Sequence, residues 1–193
     1  MSLRFAYATL CGLVLAGIVH IVTVLAIPRL SETDALSRTR SSESLEHPQP
    51  VNTLATPASP AATWLPAPDP AVAVGVCAYD LEDGPMRIAA RTGPLALSLA
   101  VHGRRGAFYA VTDQAAVRGA LDLVVLTRAQ YDEALANDDE NEPSRDVRIV
   151  APDRQGFVVV RVIAGLPSQR PAANEAVQAV SCTIDGEDET PGK

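Results

Sequence analysis

The hydrophobic pattern changes character twice along the chain. Residues 5–27, FAYATLCGLVLAGIVHIVTVLAI, are apolar almost without a break and carry no charge. At a rise of about 1.5 Å per residue this predicts a helix roughly 34 Å long, enough to cross a hydrocarbon core of about 30 Å. Residues 28–68 lose all periodicity, with seven prolines among many Ser and Thr residues. Such a stretch buries too little apolar surface to offset its ordering entropy, which predicts a disordered or extended tether. From residue 69 the alternation returns and predicts a folded domain over 69–185. Residues 186–193 read as an acidic tail, and residues 1–4 as a short N-terminal flank.

Within 69–185 the pattern predicts an α+β domain: a mainly antiparallel sheet of five or six strands with two or three helices. DPAVAVGVCAYDLEDGP opens with Asp69 in an N-cap position and Pro70 at a first helical position, and closes at Gly84–Pro85. This capping signature predicts a helix, although the valines favour a strand. MRIAAR alternates, and LALSLAVH does so clearly, with Leu95, Leu97, Leu99 and Val101 on one face. The turn GRRG joins it to AFYAVT as a hairpin, and ALDLVVL is a further strand. TRAQYDEALAN begins with a capping box from Thr127 to Gln130 and predicts a helix. DVRIVAP and GFVVVRVIAG are expected to form a second hairpin through DRQG. SQRPAANEAVQAVSC is expected to be a closing helix.

Composition narrows the class of partner. The net charge is −7, and fifteen of the sixteen basic residues are arginine, scattered rather than blocked. Nucleic-acid binding, which calls for a basic patch or stripe, is therefore set aside. For the apolar helix, VLA at 24–26 resembles a signal-cleavage site, but the run is longer than the roughly 7–15 residues of a signal core, so a retained anchor is expected. Arginine counting across the flanks weakly favours a cytoplasmic C-terminal side. The four-residue N-terminus before a signal-like segment favours the opposite, an exported domain. Ala8, Gly12, Ala16 and His20 recur every fourth residue and mark a candidate contact with a second membrane helix.

The cysteines bear on the same question. Cys77 lies in the first element of the domain and Cys182 in the last, with no C-x-x-C and no histidine nearby in sequence. Their positions behind an export segment favour a disulfide, with two buried thiols as the alternative. His102, Arg104 and Arg105 cluster at the GRRG turn and form a candidate interaction site. A Ser98–His102–Asp arrangement there lacks a nucleophile elbow and an oxyanion loop. The acidic run NDDENE (137–142) lacks the spacing of a calcium loop. No phosphate-binding, dinucleotide or zinc-protease motif is present, and no catalytic residue, cofactor or metal is expected.

The succession LAGIVHIVTVLAIPRLSETDA, DPAVAVGVCAYDL, LSLAVHGRRGAFYAVTDQAA and LDLVVLT resembles a group of short proteobacterial membrane proteins, domain of unknown function 1254. The resemblance spans nearly the whole chain outside the tether. It implies a single-pass membrane protein with an exported domain, makes His20, Cys77 and the HGRRG turn family features, and implies no activity. The expected function is thus an inner-membrane-anchored periplasmic module, non-catalytic, that binds a protein partner or envelope component. The alternative is a small envelope enzyme or ligand sensor with a site near His102, Arg104 and Arg105.

Overall fold

β-Branched residues, rather than capping signals, decide the first element of the domain. Val72–Asp80 is a strand, because alternate residues of VAVGVCAYD are buried on both of its faces and valine favours the pleated surface. The capping expectation fails here for a local reason: Asp69 accepts the Ala71 N–H at 2.8 Å, which is a turn across Pro70 and not a helix start. The computed structural model describes residues 2–30, 35–40, 47–52, 68–137 and 146–184, and these fall into two units, Met1–Ser37 and Arg38–Lys193. The first unit is dominated by helix α1 (Ser2–Leu30), whose stretch Leu3–Ile27 contains no buried residue. A short helix, α2 (Ala35–Thr39), follows.

Nine strands among the described residues of the second unit form two sheets. The first contains β1 (Gln49–Pro50), β2 (Val72–Asp80), β4 (Leu97–Gly103), β5 (Gly106–Thr112) and β8 (Gln155–Ile163), in the order β1-β2-β8-β4-β5. The second contains β3 (Met86–Arg91), β6 (Ala120–Leu126), β7 (Val147–Val150) and β9 (Ser181–Ile184), in the order β7-β6-β3-β9. All pairings are antiparallel except β6 with β7. With helices α3 (Arg128–Asn137) and α4 (Arg170–Gln178), the class is α+β as expected. The strands divide into two sheets because β7 and β8, expected as a hairpin, part company: β7 joins β6, and β8 inserts between β2 and β4.

The main core lies between the sheets. Leu97, Leu99 and Val101 of β4 and Val158, Val160 and Val162 of β8 face Ile88, Leu123 and Val125 of the second sheet. Ala173 and Val177 of α4 complete it. The helix comes close because residue 75 is glycine: a Cβ there would meet Val177 and Pro48. α3 buries no residue, and it is attached at its start. The Gln130 side chain accepts from the Thr127 N–H at 2.8 Å and donates to the Leu81 carbonyl at 2.9 Å. The predicted capping box therefore also docks the helix.

Two expectations are corrected at the ends of the domain. The tether does not run unbroken over 28–68: β1 pairs with β2, Val51 and Asn52 are buried, and Thr39 is fully buried. Arg40 Nη2 reaches Gln155 Oε1 at 3.2 Å, and His47 Nδ1 lies 3.0 Å from the Val180 carbonyl oxygen. These residues pair with elements more than a hundred positions away, which composition cannot register. The closing helix ends at Gln178, so Cys182 sits on strand β9. Trp64, residues 138–142 of the acidic run and the tail 186–193 lie outside the described residues.

Candidate functional site

Three places in the molecule bring chemistry-bearing residues together, and the first is the cysteine pair. Cys77 on β2 and Cys182 on β9 are joined by a disulfide with a Cα–Cα separation of 6.5 Å. Both are buried, and the bond crosses the core from one sheet to the other. Arg170 of α4 is 3% exposed. Its guanidinium donates to the Pro70 carbonyl at 2.6 Å, the Asn52 carbonyl at 2.7 Å and Asn174 Oδ1 at 3.2 Å. Burial lowers its pKa and the charge of Asp69 opposes that shift, so the group remains a cation held by carbonyl dipoles. Asn52 in turn donates to the Val72 carbonyl and accepts from the Val74 N–H. This is structural chemistry: every partner is a backbone group or an amide.

The second place is the β4–β5 hairpin. His102 lies on the face of β4 opposite Leu99 and Val101, in register with Phe157 of β8, and the two rings stack at 4.9 Å with planes 8° apart. Its Nε2 is buried and has no hydrogen-bond partner among the described residues. Burial, and then the positive charge of Arg161, lower its pKa, which disfavours the protonated imidazole. Arg104 is held by the turn before β8 and by β8 itself. Its backbone N–H donates to Asp153 Oδ2 at 3.1 Å and its guanidinium to Gln155 Oε1 at 3.4 Å, while Gln155 donates onward to Asp80 at 2.7 Å. Arg105 is exposed at the tip. On the core side Tyr79 lies across Gly156, where a Cβ would strike the Tyr79 ring, and its hydroxyl donates to the His102 carbonyl at 3.3 Å. Burial and the Asp153 charge raise the phenol pKa, which keeps it a protonated donor. The sequence thus picks out neighbours in the chain that the fold assigns to separate jobs: ring stacking, turn anchoring and a free cation.

The third place was not visible in the sequence. A pocket of about 220 Å³ opens between β5 and β6, lined by Tyr109, Val111, Val117, Leu121, Leu123 and Val147, with Arg118 at its rim. Arg118 (φ 55°) and Gly119 (φ 81°) form a tight turn bridged by Val117 and Ala120. Two successive left-handed residues are the signature of a type I′ turn, and Arg at the first position carries a steric cost that Asn or Gly would avoid. Only RG in AVRGAL hints at this turn in the sequence.

On α1, Ala8, Gly12, Ala16 and His20 are all exposed. The helix is long and apolar enough to cross a membrane, a property it shares with signal sequences. Among the described residues no group of three or more His, Cys, Asp or Glu is placed to hold a metal.

No protein-family profile matches the chain, and no curated protein matches it in sequence. A similar fold occurs among solved structures. The VPA0106 protein of Vibrio parahaemolyticus superposes with a TM-score of 0.51 at 9% identity, over 66% of this chain and 32% of that one. An uncharacterised protein of Burkholderia cenocepacia gives 0.40 at 14% identity, over 61% and 31%. The chain spans about a third of the length of each. At 9% identity the first likeness is one of fold alone.

Proposed function

We propose that this chain is an envelope protein of the bacterial inner membrane, held by α1, whose disulfide-closed domain lies on the periplasmic side and binds a protein partner. The observation that carries the reading is the combination of an apolar helix with no buried residue over Leu3–Ile27 and a buried Cys77–Cys182 bond in the domain behind it. The helix suits a lipid environment, and the bond suits an oxidising compartment. A binding role is favoured over a catalytic one at the hairpin because His102 is stacked on Phe157 with its Nε2 closed off. A general base must reach a proton on its substrate. The resemblance to domain of unknown function 1254 points the same way and adds no activity.

A second reading has one observation in its favour. The pocket between β5 and β6 has a mostly apolar lining beside the charged residues Arg118 and Asp122, which moves any ligand-sensing role from His102 to Tyr109 and Leu121. The primary test is a C-terminal fusion to a reporter enzyme active only after export, combined with alkaline extraction of membranes. Reporter activity in the membrane pellet is the expected result. An inactive reporter, or a domain released into the soluble fraction, overturns the anchored periplasmic reading.

A further inference from the structure

Edge strands leave every second backbone N–H and C=O unpaired, and proteins guard them with shortness, charge, proline or cover. Four strands form the edges of the two sheets: β1, β5, β7 and β9. β1 has two residues and contains Pro50, β7 has four and carries Arg148, and β9 has four and is tied down by Cys182. β5 is different. Its seven residues, GAFYAVT, include no charge and no proline, and among the described residues it pairs only with β4. Its one irregularity is the extra residue Phe108, opposite the Val101–His102 step. Ala107, Ala110 and Thr112 are exposed along it.

The charges lie just beyond its two ends, and they are of opposite sign. Arg104 and Arg105 precede the strand, and Asp113 follows it. Arg105 is exposed and forms no hydrogen bond or ion pair among the described residues, whereas Asp113 is half-buried, with one carboxylate oxygen 3.4 Å from the Leu97 nitrogen. From this arrangement we infer that β5 is a self-association edge: two copies of the chain join β5 to β5 in antiparallel fashion. A two-fold axis at Tyr109 sets Arg105 of each copy opposite Asp113 of the other, so both ends of the joint are charge-matched. Parallel pairing would set Arg105 against Arg105. A strand whose ends carry opposite charge in this order is complementary to itself, as an isologous interface requires, so the occupant is a second copy and not an unrelated strand. The two five-stranded sheets then run on as one.

The inference deepens the partner-binding reading and rests on it. It is measured on the purified full-length chain in detergent micelles, so its failure is separate from a failure of export. Sedimentation over a concentration series is expected to show a dimer. Ala110→Lys, at an exposed edge position, and Arg105→Asp, at the exposed tip, should each raise the dissociation constant about tenfold or more. Asp113→Arg should do the same. Mixing the Arg105→Asp and Asp113→Arg proteins should restore dimers, because every pair in the mixed interface is again opposite in sign. A monomer at all concentrations overturns the inference. So does a dimer indifferent to both Ala110→Lys and Arg105→Asp, which would place association in α1 or elsewhere. Arg105→Asp and Ala110→Lys both alter exposed side chains, so they remain decisive even if Asp113→Arg loses the Leu97 contact and fails to fold.

Discussion

At the β1–β2 margin of the five-stranded sheet, polar groups are closed off by partners distant in sequence. Arg170 joins Asn52 and Pro70, the Asn52 side chain covers the backbone of Val72 and Val74, and the disulfide binds β2 to β9. At the β4–β5 margin the contacts are hairpin-local or reach β8, its preceding turn and the Tyr79 hydroxyl of β2, and the outer side of β5 pairs with nothing described. One margin is built to stay shut and the other is left available. The difference shows that a sheet's two edges can be assigned opposite roles by what is packed on them, independent of their propensity for strand.

The comparison is sharpest where the closed margin is cut. Cys77→Ala or Cys182→Ala should lower stability by up to about 4–5 kcal/mol, the chain-entropy value for so long a loop. Denaturant unfolding of wild type with reductant should give the same loss. A change under about 1 kcal/mol would mean the margin does not depend on its crosslink. Next, Arg170→Met should cost about 2–4 kcal/mol by leaving buried carbonyls unpaired. Hydrogen exchange at Val74 should quicken with it, and Arg170→Lys should recover only part, since an ammonium lacks the fork.

At the open margin, Gly156→Ala should cost about 1–3 kcal/mol because its Cβ meets Tyr79 and the His102 carbonyl. Tyr79→Phe should cost about 1 kcal/mol by removing one hydrogen bond. If either exceeds the loss from Arg170→Met, the two margins are not as unequal as described.

His102 gives the open margin a pH dependence. Its folded pKa lies below its ordinary value of 6.5, so the unfolded chain binds the proton more tightly. Its contribution to stability is therefore full above about pH 6.5 and is lost as pH falls through the folded value. His102→Phe should flatten the stability profile below pH 6.5, read by thermal melts across a pH series. The smallest effect belongs to neither margin. Arg128 and Asp132 of α3 lie 3.6 Å apart with side chains 75% and 63% exposed, so Arg128→Ala should change stability by less than about 0.5 kcal/mol.

Much of the fold was legible because its signals are local. The alternation through Leu95, Leu97, Leu99 and Val101 places β4 with its buried face correctly assigned, and the Thr127–Gln130 box marks the start of α3. The Cys77–Cys182 bond was reachable because composition left each cysteine one sensible partner. The candidate hairpin was legible as a turn and illegible as a site. Whether His102 is free or stacked depends on Phe157, fifty-five positions along, and Arg104 is held by Asp153.

By itself the sequence determined the quantities that depend on neighbours a few positions apart: a charge-free helix of membrane-spanning length, the alternating strands, the helix cap and an uncharged GAFYAVT flanked by opposite charges. Only the tertiary structure decided that β7 and β8 belong to different sheets, that Arg170 is buried, and that β5 is an edge. The physical reason is the same in each case. Strand pairing, close approach at glycine and burial of a cation all depend on which distant segments meet, and a hydrophobic period of two residues records which face is buried but not against what.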